Sequence, residues 1–193
     1  MTLRGSNGRL TRDGERQLVV TAETTGTALP YALTTVTASG RQDAVGALVP
    51  VTWNVTMFPS AVDPRVDVDA WRRGAEARSV PTTVPALRVK YGHEGPPGLA
   101  PALKDHFGTM ATAEITVPAG NWRIRTTSDD GIRVWLDDAV VIDDWTWHPP
   151  KTHEYEFRVV EPRKIRIHVE HFELDGYAVL SLDLEWGQSL NSE

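Results

Sequence analysis

The sequence predicts an all-β protein, an antiparallel β-sandwich or barrel, and three observations support this fold class. Apolar residues alternate with polar residues over many short segments, which is the spacing of strands with one buried and one solvated face. Clusters of Gly, Pro and Asp separate the segments and have the composition of tight turns. Almost no segment has the apolar spacing of an amphipathic helix; the one candidate, residues 68–77, is weakened by Gly74 in its middle.

The alternation defines the strands and the face that each one buries. In the segment "IRVWL", Ile132, Val134 and Leu136 should point inward, whereas Arg133 and Trp135 should point outward. The same pattern predicts strands at 17–21, 31–38, 51–57, 113–117, 122–126, 132–136, 140–143, 155–159, 165–169 and 178–186. Short strands at such regular spacing are typical of a sandwich or barrel.

The chain of 193 residues is long enough for one domain with an appendage. Residues 1–50 are poorer in large apolar residues than the remainder. We therefore expect an N-terminal extended segment, residues 1–50, whose strands pair with a neighbouring domain or subunit. Residues 51–187 should form the main β domain, and residues 188–193 a tail.

The composition and motifs of the chain exclude or disfavour several classes of function. A net charge of -6 disfavours a nucleic-acid partner, because phosphates demand a basic surface. The chain has no cysteine, which removes disulfides, thiol nucleophiles and cysteine-ligated zinc. It has no apolar run of membrane-spanning length, and no signal peptide opens it. It also lacks a Ser-His-Asp motif, a phosphate-binding glycine loop and an HExxH helix, so we expect a non-catalytic protein.

Three pairs of adjacent aspartates lie between Arg125 and Trp145. Asp137-Asp138 stands where a hairpin must reverse, which favours a purely structural turn. Asp129-Asp130 is followed by glycine, and two interpretations stay open for it. The pair either caps a solvated turn through local hydrogen bonds or holds a cation between its carboxylates.

A second group of candidates follows the third pair, in "WTWHPP". Trp145 and Trp147 alternate along an extended segment that two prolines stiffen, so both rings can face the same side. We expect Trp145 to be a core residue. Trp147 and His148 either cover the end of the sandwich or contact a ligand, because aromatic faces stack on sugar rings and histidine bonds hydroxyls.

Four motifs together resemble the PA14 domain. They are the turn Pro-Ala-Gly, the run Ser-Asp-Asp-Gly-Ile-Arg-Val-Trp, the segment Val-Ile-Asp-Asp-Trp and the late strand Glu-Leu-Asp-Gly-Tyr-Ala-Val-Leu, at 118–120, 128–135, 141–145 and 173–180. The resemblance extends from about Val51 to Trp186. It implies a β-sandwich or barrel at the cell surface or outside the cell, whose usual work is binding glycans or spacing other domains.

The resemblance also implies a cofactor. In the adhesin branch of the family, two successive aspartates joined by a cis peptide hold a calcium ion that meets sugar hydroxyls, and Asp129 and Asp130 match them. Adhesins often take a further ligand from an asparagine in a later loop, but this chain has no asparagine between Asn121 and Asn191. Substitute oxygens are those of Glu173, Asp175 or backbone carbonyls. The candidate ligand-binding residues are Trp135, Trp147, His148, Glu173 and Asp175.

Two functions from different classes therefore remain. The first is a carbohydrate-binding module of an extracellular or cell-surface protein, with Ca²⁺ as its cofactor and a glycan or polysaccharide as its partner. The second is a structural or assembly domain that mediates protein contacts in a surface layer, filament or larger complex.

Overall fold

Two antiparallel sheets share one core in the computed structural model of the protein, which describes residues 8–13, 17–22, 25–38, 40–77, 79–96 and 103–187. The elements are β1 (Gly8–Asp13), β2 (Gln17–Ala22), β3 (Leu29–Thr37), β4 (Gly40–Leu48), β5 (Trp53–Pro59), α1 (Val68–Ala77), β6 (Val80–Val84), β7 (Leu87–Gly92), β8 (Phe107–Val117), β9 (Gly120–Asp129), β10 (Ile132–Leu136), β11 (Ala139–Asp144), β12 (Lys151–Val159), β13 (Arg163–Glu173) and β14 (Ala178–Gly187).

The larger sheet has six strands in the order β11-β10-β13-β8-β5-β6, and the smaller has four in the order β12-β9-β14-β7. Two further hairpins, β1-β2 and β3-β4, form separate two-stranded sheets. The predicted all-β antiparallel class is confirmed. The architecture is a sandwich, since none of the sheets formed by the described residues closes into a barrel.

The core lies between the six-stranded and four-stranded sheets and follows the predicted alternation. Trp122 and Ile124 of β9 belong to the same buried cluster as Ile115 of β8 and Ile167 of β13. In β10 the apolar residues point inward as predicted, with Val134 fully buried. Burying a large apolar side chain stabilises the fold by about 1.5–3 kcal/mol, so this shared core holds the sheets together.

A second, smaller cluster lies under α1. Trp71 of the helix packs with Phe58 and Phe172, and Trp145 packs against them, in agreement with its predicted core position. The helix is complete over ten residues, which corrects the doubt raised by Gly74. Because Asp67 accepts a hydrogen bond from the backbone N–H of Ala70 (2.8 Å) and Trp71 is fully buried, capping and packing outweigh the glycine.

Residues 25–50 contact the main domain of the same chain. Ala28 is buried in the core, and its backbone N–H donates to the carbonyl of Thr116 (2.8 Å). The early predicted strands correspond to β2 and β3. The division at residue 50 and the pairing with a neighbour stay predictions, and the predicted tail, residues 188–193, lies outside the described residues. None of the helices among the described residues is long and apolar enough to cross a membrane.

Candidate metal centre

Three carboxylates meet at one end of the sandwich. Asp129 ends β9, Asp130 follows it, and Glu173 ends β13. One oxygen of each lies within 4.8 Å of the others, and all three side chains are buried, with exposed fractions of 5%, 1% and 0%. The structure therefore brings together the predicted aspartate pair and one of the two acidic residues proposed to complete it.

The turn after β9 is fixed directly to β13. The backbone N–H of Asp130 donates to the carbonyl of Phe172 (3.2 Å), and the N–H of Phe172 donates to the carbonyl of Gly131 (3.1 Å). A Cβ at Gly131 would lie 2.3 Å from the Phe172 ring, so only glycine allows this close approach. The peptide bond between Asp129 and Asp130 is cis.

Two backbone donors orient the carboxylate of Asp130. The N–H of His148 donates to Oδ1 (3.2 Å) and the N–H of Leu174 donates to Oδ2 (2.8 Å). Burial raises the pKa of Asp130, and these two hydrogen bonds oppose the shift. The loop after β11 and the loop after β13 thus both hold this one side chain.

Asp129 is held through its main chain. Its carbonyl accepts a hydrogen bond from Nε2 of His171 (2.9 Å), which places the proton of that imidazole on Nε2. Burial lowers the pKa of His171 to about 4, so the ring is neutral at pH 7. Burial, together with the neighbouring charge of Asp130, raises the pKa of the Asp129 side chain to about 6.

Glu173 is the residue that a purely structural turn does not explain. Its carboxyl is fully buried, and neither oxygen has a hydrogen-bond partner among the described residues. Burial, followed by the charges of Asp130 and Asp129, raises its pKa to about 9. Among the described residues, no Lys or Arg forms an ion pair with any of the three carboxylates. Without a cation, Glu173 must carry a proton at pH 7.

The donor set fits a hard divalent cation. Calcium takes six to eight oxygen ligands, tolerates irregular geometry and is commonly held by carboxylates. The three clustered side chains offer oxygen atoms only, and the two unpartnered oxygens of Glu173 are the buried polar atoms that a bound ion would satisfy.

Two of the predicted ligand-binding residues stand at the rim of this cluster. The indole of Trp147 is 55% exposed, and its Nε1–H donates to Oδ1 of Asp175 (3.1 Å). The charge of Asp175 contributes to the raised pKa values of the carboxylates of the cluster. An exposed aromatic face and a carboxylate therefore flank the candidate metal centre.

His148 lies beside the metal centre with its ring buried, whereas the prediction was that its side chain contacts a ligand. Its side chain is only 8% exposed, and Nδ1 is 2.8 Å from the carbonyl of Pro149. Its backbone N–H orients Asp130, and the electrostatic effect of the imidazole opposes the raised pKa values of Asp129 and Asp130.

Trp135 lies apart from the carboxylates. It is on the outer face of β10, and its ring centroid is 4.9 Å from that of His168 on β13. Although one sequence motif contains both, Trp135 lies on the outer face of the six-stranded sheet and the aspartates lie at the end of the sandwich.

Asp105 is a contributor that sequence reasoning missed. Its Oδ1 accepts a hydrogen bond from the backbone N–H of Gly176 (3.1 Å), which ties the loop after β13 to the segment before β8. Its charge also raises the pKa of Glu173. The sequence shows Asp105 only as an acidic residue in a loop. No feature of the sequence indicates that the backbone N–H groups of His148 and Leu174 bind Asp130.

Fold and site together define a β-sandwich domain with an all-oxygen candidate cation site at the end where its loops converge. Residues 90–193, more than half of the chain, match the family model of the PA14 domain. The protein belongs to the PA14 domain family, as the motifs at 118–120, 128–135, 141–145 and 173–180 indicated.

Solved structures share the fold at low identity. The chain is 16% identical to an anti-sigma factor domain-containing protein from Clostridium clariflavum over 71% of its length (TM-score 0.55). It is 12% identical to the PA14 domain of an antifreeze protein, covering 72% of this chain and 84% of that one (TM-score 0.50). It is 13% identical to the β-glucosidase of Kluyveromyces marxianus, covering 72% of this chain and 17% of the enzyme (TM-score 0.51).

The chain spans less than half the length of the anti-sigma factor domain-containing proteins that it matches, 44% of one and 42% of the other. None of the curated proteins matches the sequence. At these identities the structural matches show the shared fold alone.

Proposed function

We propose that this chain is a non-catalytic carbohydrate-binding module whose glycan site includes a calcium ion held by Asp129, Asp130 and Glu173. The observation that carries the proposal is the fully buried, unpartnered carboxyl of Glu173 beside two other carboxylates. Three buried acidic groups without a compensating cation are unfavourable unless they bind protons or a metal.

Calcium at this position would supply open coordination positions that two neighbouring sugar hydroxyls can fill. The protein itself positions the carboxylates before calcium binds. Asp130 is fixed by two backbone N–H groups, and Asp129 is fixed by His171 through its carbonyl. Because these groups are positioned before binding, little conformational entropy is lost when a ligand arrives.

The rim supplies the remaining sugar contacts. The exposed face of Trp147 suits the apolar face of a pyranose ring, and the second carboxylate oxygen of Asp175 suits a hydroxyl donor. The hydrogen bond between the two side chains holds the indole in place. Trp147 and Asp175 are therefore the residues through which we expect the module to select its sugar.

One consideration supports a non-catalytic role for the carboxylate cluster. Glycosidases place two carboxyl groups about 5–9.5 Å apart on either side of the glycosidic bond. Asp129, Asp130 and Glu173 are buried together in a single cluster, which is a poor arrangement for two carboxyl groups that must stand on either side of a bound sugar chain.

Thermal unfolding in excess calcium chloride and in a chelator is the first test, with magnesium chloride as the comparison ion. A ligand at a hundred times its dissociation constant adds about 2.7 kcal/mol to the free energy of unfolding. We expect a higher midpoint in calcium and, in a following glycan-array experiment, binding that the chelator removes. Equal midpoints in calcium and chelator would contradict the calcium site.

A second candidate function is an assembly domain that acts through residues 1–50. The observation that favours it is the β3-β4 hairpin, a separate two-stranded sheet in which residues 40–45 are exposed, including Val45 at 44%. Such an edge is suited to strand addition by another chain. Sedimentation velocity over a wide concentration range tests it, and a monomer throughout would count against self-assembly.

A further inference from the structure

A cleft of about 530 Å³ lies on the outer face of the six-stranded sheet, within the range of about 300–1,000 Å³ usual for small-molecule sites. Its floor is a row across three neighbouring strands. Trp135 pairs with His168, and His168 pairs with Thr112. The cleft contains none of the three carboxylates of the metal centre.

The row offers an aromatic platform. Trp135 is partly exposed on the solvent side of β10, and the rings of Trp135 and His168 are tilted by 50° with centroids 4.9 Å apart. The contact with His168 restricts the indole, so its face is presented in one orientation. A rigid, partly exposed aromatic ring is a favourable surface for the apolar face of a ligand.

One end of the cleft is closed by an ion pair that is already fixed. Nε and Nη2 of Arg72 donate to the two carboxylate oxygens of Glu170 at 2.8 and 2.9 Å. The Glu170 side chain is 5% exposed and that of Arg72 is 39% exposed. Such a bidentate pair holds the guanidinium rigid while part of it still faces the cleft.

The other end carries a second pair. Nη2 of Arg166 donates to Oδ1 of Asp138 at 2.5 Å, and both side chains are largely exposed, at 53% and 92%. Each arginine in the cleft is therefore matched by a carboxylate. This leaves no excess of positive charge for an anionic ligand, but provides donors and acceptors on both sides of the aromatic platform.

We propose that this cleft is a second saccharide-binding site that requires no metal. An aromatic face flanked by a rigid Arg72–Glu170 pair on one side and by exposed donors and acceptors on the other, without net positive charge, matches a neutral, polyhydroxylated ring. The site goes beyond the proposed calcium-dependent function, because it lies on another face of the sandwich and shares no residue with the metal centre. A chain with both sites would contact a polysaccharide at two separate places.

The test is binding of cellohexaose, xylohexaose and β-1,4-mannohexaose in chelator, measured by calorimetry and by the NMR signal of the Trp135 indole N–H. At least one probe should give saturable binding and shift that signal. Trp135→Ala should weaken binding about tenfold or more, which corresponds to about 1.4 kcal/mol. Trp135→Phe should give an intermediate loss.

Matched variants separate this site from the calcium site. Trp147→Ala removes an aromatic side chain at the rim of the metal centre, outside the cleft, and should leave chelator-resistant binding unchanged, as should Asp130→Asn. Thr112→Lys places a long side chain on the cleft floor without changing the indole, and it should weaken binding. This variant tests the cleft even if Trp135→Ala does not fold.

The proposal is overturned if none of the three probes binds in chelator. It is equally overturned if the Trp135 and Thr112 variants keep full affinity, or if chelator-resistant binding is lost in Trp147→Ala instead. None of these results bears on calcium binding, which the unfolding experiment measures by itself.

Discussion

Glu173 and Asp130 place carboxylate oxygens within 4.8 Å of each other, although the strands that carry or precede them belong to different sheets of the sandwich. Glu173 ends a strand of the six-stranded sheet, and Asp130 follows a strand of the four-stranded sheet. A cation shared by the two would connect the sheets at this end. Protonation removes the repulsion between them but forms no such connection.

Glu173→Gln should remove most of the stabilisation by calcium. The amide keeps the size of the side chain but loses its charge, so we expect calcium affinity at least tenfold weaker, or about 1.4 kcal/mol. Calorimetric titration with calcium measures the change. Asp138→Asn is the control, because Asp138 is 92% exposed in the turn of another hairpin. A Glu173→Gln protein with wild-type affinity would exclude Glu173 as a ligand.

Asp130→Ala should be destabilising even in chelator. The substitution leaves the backbone N–H groups of His148 and Leu174 without their acceptor, and an unsatisfied buried donor costs about 1–3 kcal/mol. Relief of charge repulsion offsets part of this, so we expect a net loss of about 2 kcal/mol in urea unfolding. Asp130→Asn keeps an acceptor oxygen and should lose less. An Ala variant as stable as wild type would mean that water satisfies both donors.

The stability of the metal-free protein should fall as the pH rises from about 6.5 to 9. The pKa of Glu173 is raised to about 9 in the folded protein, so the folded state binds more protons than the unfolded state in this window. The free energy of unfolding then decreases by at most about 1.4 kcal/mol per pH unit.

Below pH 6.5 a second group, His171, changes the free energy of unfolding in the opposite direction. The pKa of His171 is lowered to about 4, so its contribution to stability is lost as the pH falls below 6.5. Urea unfolding in chelator from pH 6.5 to 9 is therefore the cleaner measurement. Glu173→Gln should abolish the slope, and saturating calcium should suppress it. A wild-type slope that persists in the Gln variant would assign the effect to another group.

Gly131→Ala should disturb the metal centre through sterics alone. The added Cβ would lie 2.3 Å from the ring of Phe172, and either the ring or the turn must move. We expect a loss of about 1–3 kcal/mol in the free energy of unfolding together with weaker calcium binding. Gly187→Ala is the control, since nothing lies within 4 Å of a Cβ there. Unchanged stability and affinity in Gly131→Ala would show that the turn relaxes without cost.

Arg72→Met should destabilise the fold because it removes both hydrogen bonds of the guanidinium to the buried carboxylate of Glu170 and leaves it only the more distant His168, whose Nε2 is 3.6 Å from Oε1. Loss of hydrogen bonds to a charged group costs about 1.5–3 kcal/mol, and Glu170 is only 5% exposed. Arg41→Met is the control, because it removes an ion pair with Asp43 that is exposed to solvent, and it should change stability much less than Arg72→Met does. Equal effects in urea unfolding would mean that water enters the cleft and solvates Glu170.

The fold was predictable because it depends on alternation, which is local. The pattern of residues 132–136 specified which side chains of β10 face the core, and the burial of Ile132 and Val134 agrees with it. The helix was harder to predict because Trp71 is stabilised by contacts with Phe58 and Trp145, which no local pattern shows.

The candidate site was predictable only in part. The motif at 128–131 indicated the aspartate pair, and Glu173 was one of two acidic residues considered for its completion. Nothing in the sequence distinguished Glu173, which is buried at the centre, from Asp175, which binds the Trp147 indole at the rim. That distinction depends on the direction in which each side chain leaves the end of β13.

The sequence by itself determined the all-β class, the family, the strand faces and the adjacency of Asp129 and Asp130, because each follows from neighbouring residues. Only the tertiary structure decided that Glu173 joins the aspartates, that the backbone N–H of His148 holds Asp130, and that Trp135 lies in a separate cleft. These relationships join residues of different strands and loops. The packing of the two sheets, rather than any local pattern, sets the distances between them.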